Sequence, residues 1–255
     1  MVIGILGILA ALLLPAVSRA KGCAKSVACK NHLRQMGAAL QMYVHDNRSQ
    51  YARYLGPAGD SYGDAKGKGG RAAGLVYWSS RLFPYYPVNW TNSAFHCPGY
   101  GGKISGPYLE KAIDRLGSYA YNAGGVGLDG PYGSPNYPLH EHFGLGPYIF
   151  WKDAQGTVVP PVSEAQVRVP SEMLAIGDSS MKAGTTGGDD LWVCSLPAAS
   201  EVKALPYDSR HGNNYNQLLC DGHVSAMRPE LLFSPSNTAV MWNYDHQPHP
   251  ELWTP

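Results

Sequence analysis

Charge is scarce in this 255-residue chain: Asp, Glu, Lys and Arg together make up 15%, and the formal net charge is +1. So small an excess, with no basic stripe outside residues 19–34, leaves no electrostatic footprint for a polyphosphate and argues against nucleic acid as a partner. No C-x-x-C pair occurs among the five cysteines Cys23, Cys29, Cys97, Cys194 and Cys220, which argues against a structural zinc site of the usual cysteine type. No G-x-S-x-G elbow is present either, so Asp178, Ser179 and Ser180 in "AIGDSS" read as a turn ending a strand rather than as a nucleophile. Glu141, Glu164 and Glu172 form no pairing of the glycosidase kind that sequence can show. No internal repeat is visible. Helix-rich composition is missing beyond the first fifth of the chain. What is abundant is Gly (30), Pro (20), Tyr (17) and Trp (6), the ingredients of tight turns, long ordered loops and aromatic packing.

The start of the chain differs from the rest. Residues 2–14 are apolar throughout, and the first charges are Arg19 and Lys21. Gly4 and Gly7 permit close approach of a neighbouring helix. Pro15 would break a helix in water but is tolerated in a membrane setting. Beyond it Leu33, Met36, Leu40, Tyr43 and Val44 fall on one helical stripe, and His45-Asp46-Asn47 suits a helix end. The pattern predicts one rod from Met1 to Asp46, roughly 70 Å long. Residues 1–18 form its membrane-compatible part and 19–46 its amphipathic part. On such a rod Cys23 and Cys29 lie about 240° apart and cannot bridge each other.

Residues 47–255 read as one β-rich head. "LVYWSSRLFPYY" predicts a short helix, "GSYAYNAGGVG" a strand and a glycine turn, and residues 173–176 a buried strand. "YNQLLCDGHVSAM" predicts a hairpin closed by Asp221-Gly222, a dipeptide favoured in type I′ turns. Residues 54–74 and 124–146 read as loops, and "WNYDHQPHPELWTP" as a Pro-rich aromatic tail without periodicity. The expected fold class is α+β: one long N-terminal helix on a small antiparallel sheet with long Gly-, Pro- and Tyr-rich loops.

That layout resembles the type IV pilin-like and type II secretion pseudopilin-like proteins. "VIGILGILAALLLPAVSRAK" is similar to the apolar start of prepilin-type chains. More specific is "RHGNNYNQLLCDGH", in which His211 is followed by nine residues and then Asp221-Gly222. It resembles the signature of the prepilin-processing-associated family named for that spacing. "ACKNHLRQMGAALQMYVHDN", "FHCPG", "SYAYN", "MLAIGDSS" and "WNYDHQPHPELW" extend the likeness over essentially the whole chain. The family's basic leader, cleavage site and helix-start glutamate are not in the sequence. Aligning Pro15 with the family's helix proline predicts that Met1 is an internal start and that about seven mature residues precede it, enough to bring the apolar part to the ~20 residues of a span.

The resemblance implies a non-enzymatic structural subunit that sits in the inner membrane and then assembles into an extracellular or periplasmic filament. Val2, Ile3, Ile5, Leu6, Ile8, Leu9, Leu12, Leu13 and Pro15 are the expected assembly helix. The expected partners are copies of the chain, the inner-membrane assembly machinery and a prepilin peptidase. A minor pseudopilin or assembly factor of a type II secretion-like system is the second reading, and a membrane-anchored carbohydrate-binding domain the third. For that third reading the aromatic candidates are Tyr85, Tyr86, Trp90, Tyr132, Tyr137, Trp242 and Trp253. No catalytic residue and no cofactor is expected. His211, Asp221 and Gly222 are expected to be structural, the histidine hydrogen-bonding a backbone carbonyl at the hairpin base. His140, His142, His211, His223, His246 and His249 could in principle meet at a metal, but nothing in the sequence brings them together. Calcium, carried by some pseudopilins, would find oxygen ligands in Asp189 and Asp190 of "GTTGGDDLW". In an oxidising compartment Cys29, Cys97, Cys194 and Cys220 are the disulfide candidates, with the pairing open.

Overall fold

A computed structural model of the chain describes residues 2–57, 75–102, 104, 117–126, 143–147, 158–179, 195–196 and 210–252. The first helix, α1, runs unbroken over Val2–Asp46 with Pro15 inside it, about 68 Å at 1.5 Å per residue. Its end is built by side chain and backbone together. Asn47 Nδ2 donates to the Tyr43 carbonyl at 2.7 Å. Arg48 and Ser49 then turn left-handed (φ 56° and 58°), and the Ser49 amide reaches back to the Val44 carbonyl at 2.9 Å. This six-to-one closure satisfies a carbonyl that the helix itself cannot.

The remaining elements are short: β1 (Leu55–Pro57), β2 (Leu75–Tyr77), α2 (Trp78–Arg81), β3 (Tyr119–Tyr121), β4 (Gly125–Val126), β5 (Leu174–Asp178), β6 (Ser195–Leu196), β7 (Tyr215–Leu219), β8 (Val224–Met227), α3 (Pro229–Leu232) and α4 (Pro235–Trp242). Strands β3-β5-β7-β8 form the central antiparallel sheet in that order, while β1-β2 and β4-β6 are two-stranded pairs, the latter parallel. The register of β5 on β7 shifts between Leu174 and Ile176, as at a β-bulge. The chain is therefore α+β, a long N-terminal helix laid on an antiparallel sheet.

Both faces of the sheet are covered. On one, Cys29, Leu33, Met36, Leu40, Tyr43 and Val44 of α1 join Ile176, Leu218 and Cys220 in the main core. The expected stripe is thus the buried one, and Cys23 faces solvent while Cys29 is buried. On the other face α3 and α4 bring Leu232, Phe233, Ala239 and Trp242 against Leu174 and Tyr215. These two helices fall between the expected hairpin and the Pro-rich tail, where the sequence pattern predicts no element. Each begins with Pro at its start, a helix-start signal that polar loop composition around it obscures. Tyr86, Trp90 and Trp242 are buried in the cores, with Trp78 stacked on Tyr121 at 5.5 Å between centroids and edge-on to Trp90 at 6.0 Å. Tyr85 packs edge-on to Tyr43 and donates to Asp46 at 2.7 Å. Tyr132, Tyr137 and Trp253 lie outside the described residues.

The helix lies close against the sheet at Gly37, where an added Cβ would stand 2.7 Å from Leu218 Cδ1. Gly37→Ala should destabilise the fold by about 1–3 kcal/mol through overpacking, although alanine is the better helix former by about 1 kcal/mol. Gly22 has open space around its Cα, so Gly22→Ala should be neutral or stabilising. Urea midpoints of the two variants check the pair, and equal effects would refute the close approach.

Candidate functional site

Two features are candidates for function. The first is the uncovered part of α1. Val2, Ile3, Ile5, Leu6, Ile8, Leu9, Leu12, Leu13, Leu14 and Val17 are between 51% and 87% exposed, and an 18-residue stretch of the helix is long and apolar enough to cross a membrane with none of it buried. Contiguous apolar surface of this extent marks contact with lipid or with another protein. The expected assembly residues all lie on this bare half, and Pro15 sits within it.

The second feature lies where α1 meets the end of the sheet. Cys29 comes from α1, Cys97 from the turn in "FHCPG", Asp178 from the last position of β5, and His211 from the turn leading into β7. Cys97 Sγ stands 3.0 Å from His211 Nε2. Cys29 Sγ stands 3.6 Å from Asp178 Oδ1, and His211 Nε2 is 3.6 Å from Asp178 Oδ2. One ligand-type atom of each of the four lies within 4.8 Å of those of the other three. The side chains of Asp178 and His211 are 0% and 1% exposed, and both thiols are buried.

Local structure holds each group in place. The Cys97 amide donates to Ser118 Oγ at 2.7 Å, and the Gly99 amide to Cys97 Sγ at 3.3 Å. Tyr119 Oη donates to Cys29 Sγ at 3.2 Å. Asp178 accepts from Arg210 Nη1 at 3.2 Å and from the Asn216 amide at 2.7 Å. Arg210 also donates to the Ser179 carbonyl and lies over the rings of Tyr100 and Tyr215, 5.1 and 4.7 Å from their centroids. His211 takes a left-handed backbone (φ 54°), as do Gly212 and Asn213 after it. A non-glycine residue holds that conformation only where surrounding contacts impose it.

The electrostatics follow from crowding. Burial lifts the Asp178 carboxyl to about 6 against the pull of Arg210. The Cys97 thiol is lowered to about 4, first by the hydrogen bond from Cys29 and then by His211 and Arg210. The Cys29 thiol moves the opposite way, raised by its bond to Cys97, by burial and by the Asp178 charge. Thiol, imidazole and carboxylate do not form a nucleophilic triad here. Cys97 and Asp178 both face Nε2 of His211, whereas a triad places the carboxylate on the other ring nitrogen, and Nδ1 is buried without a partner among the described residues.

His211 thus differs from the expected carbonyl-bonded residue at a hairpin base: its ring points at sulfur and carboxylate. The hairpin also differs in its turn. Only Gly222 is left-handed (φ 92°), not Asp221, and the Gly222 amide closes on the Leu219 carbonyl at 3.0 Å. The loop is therefore a type I turn followed by a left-handed glycine rather than type I′. Asp221 stabilises it by accepting from the His223 amide at 3.0 Å. Among the disulfide candidates Cys29, Cys97 and Cys220 are free thiols, while Cys194 and the calcium candidates Asp189 and Asp190 lie outside the described residues. Nothing in the sequence alone brings Cys29, Cys97, Asp178 and His211 together. Their positions in four separate motifs were the available signal, without spacing that joins them.

No protein-family model matches the chain, and searches of curated proteins and of solved structures give no match. The architecture is loosely pilin-like, a long apolar N-terminal helix on an antiparallel sheet. The likeness to a particular pilin family rests on the motifs.

Proposed function

We propose that the chain is a pilin-like structural subunit, held in a membrane by the first part of α1 and assembled into a filament through that same surface. The observation that carries this reading is the division of one continuous helix into two halves. Cys29 to Val44 carry the buried stripe gripped by the head, whereas the side chains of Val2 to Val17 touch no core. Each large apolar side chain gains about 1.5–3 kcal/mol on leaving water, so the bare half favours lipid before assembly and identical helices after it. Identical subunits meeting through unlike surfaces generate an open helical polymer when the rotation does not close. In this reading the subunit is not an enzyme, its partners are its own copies with the membrane assembly machinery and a prepilin peptidase, and it passes from the inner membrane to an extracellular or periplasmic filament.

Electron microscopy of material sheared from cells producing the full chain tests the reading. Fibres that bind antibody raised against the head are the expected result. Chain found in the detergent-soluble membrane fraction, with no labelled fibres, would favour the minor pseudopilin role instead. Chain recovered wholly in the soluble fraction would remove both.

A further inference from the structure

We propose that Cys29, Cys97, Asp178 and His211 are the four ligands of a zinc ion that clamps α1 to the sheet. Two thiols, an imidazole and a carboxylate are a donor set suited to zinc rather than to calcium or magnesium, which take oxygen ligands. With zinc–sulfur bonds near 2.3 Å and zinc–nitrogen or zinc–oxygen bonds near 2.0–2.2 Å, tetrahedral geometry places neighbouring donors about 3.3–3.8 Å apart. Measured to one carboxylate oxygen, Asp178 Oδ2, His211 Nε2 at 3.6 Å falls in that range and Cys29 Sγ at 3.9 Å lies just outside it. The 3.0 Å contact of Cys97 Sγ with His211 Nε2 opens by about half an ångström to reach it.

Charge balance points the same way. Three groups that ionise to a negative charge converge on one buried point, and among the described residues Arg210 brings one full positive charge against them. A divalent cation with two thiolates, one carboxylate and Arg210 sums to zero, and binding releases the thiol protons to solvent. Arg210 and the Asn216 amide, both on Asp178, are the outer partners that orient a ligating carboxylate. A Cys29–Cys97 disulfide is the competing fate of this site, but it engages two of the four groups and leaves His211 with Asp178 as its one remaining partner in the cluster. Because the ligands come from α1, a loop, β5 and the turn before β7, the ion would join the anchoring helix to three separate parts of the head.

The test uses the untagged full chain, purified in detergent with a reductant and without chelator. Elemental analysis should return about one zinc per chain. Cobalt(II) in its place should show the intense visible bands of tetrahedral coordination and a near-ultraviolet thiolate charge-transfer band. Cys97→Ser and His211→Ala should each lower metal content about tenfold or more, while Cys23→Ser, at an exposed position on α1, retains it. Since losing a ligand can also loosen the fold, His211→Cys provides a second arm: four donors remain, and the cobalt charge-transfer band should strengthen. Reduced wild-type chain that carries no zinc and gives no cobalt spectrum overturns the proposal. So does metal content unchanged by Cys97→Ser. A metal-free native preparation whose Cys29 and Cys97 alkylate only after reduction also overturns it, in favour of the disulfide.

Discussion

A chain carrying Leu9→Lys together with Leu13→Lys is expected to leave the membrane fraction and to form no fibres. The two positions are four apart on one face of α1, near the middle of the apolar half, and are 51% and 61% exposed in the isolated chain. At the centre of a membrane helix each change from Leu to Lys costs about 3–4 kcal/mol, so the pair costs about 6–8 kcal/mol. Mid-segment lysines have far to reach for a polar interface, which limits relief by snorkelling. In a filament the same residues would bring like charges together among packed apolar helices. The head should not notice, because the apolar window has no buried residue. The check is fractionation and microscopy alongside the near-ultraviolet dichroism of the tryptophans. Membrane retention equal to wild type, with the dichroism preserved, would show that this face is not the anchor.

The second large effect is expected at Arg210. With chelator and reductant present, so that the four donors are unligated, Arg210→Met should cost about 3–5 kcal/mol, because it strands the Asp178 carboxylate in the core. For a chain of this size that is a fall in melting temperature of roughly 10 °C. Asp178 is wholly buried and its carboxyl already stands at about 6 with Arg210 in place, so removing the cation disfavours the charged form further. The double variant Arg210→Met with Asp178→Asn removes the charge but keeps an oxygen for the Asn216 amide. It should recover at least half of the loss, since replacing both members of a buried pair is often close to neutral. A single-variant cost below about 1 kcal/mol is the level of a surface pair and would contradict the burial of this one.

Much of the fold was legible because it is written in local periodicity. Leu33, Met36, Leu40, Tyr43 and Val44 recur at helical spacing, and that stripe is the one α1 buries. Alternation and a Gly-containing turn located β7 and β8, although the turn itself closes through a three-residue loop that the Asp-Gly dipeptide alone does not distinguish from the tighter form. The helices α3 and α4 escaped because they are four and eight residues long, too short for a helical period to show against polar neighbours. Their apolar side chains reveal a role only once Leu174 and Tyr215 present a face to cover.

The candidate site divides along the same line. The sequence by itself determined the long apolar start of α1: a run of apolar residues is a property of neighbours in the chain, and the transfer free energy of each side chain adds without any need for folding. It also determined the α+β class and the stripe of Leu33, Met36, Leu40, Tyr43 and Val44 that α1 buries. Only the tertiary structure decided that Cys29, Cys97, Asp178 and His211 share one buried point. Those residues are separated by tens of positions, and their meeting depends on the packing of α1 on β7, the register of β5 against β7 and the left-handed turn at His211. No local preference encodes such a meeting, because the free energy that holds it comes from core packing between elements distant in the chain.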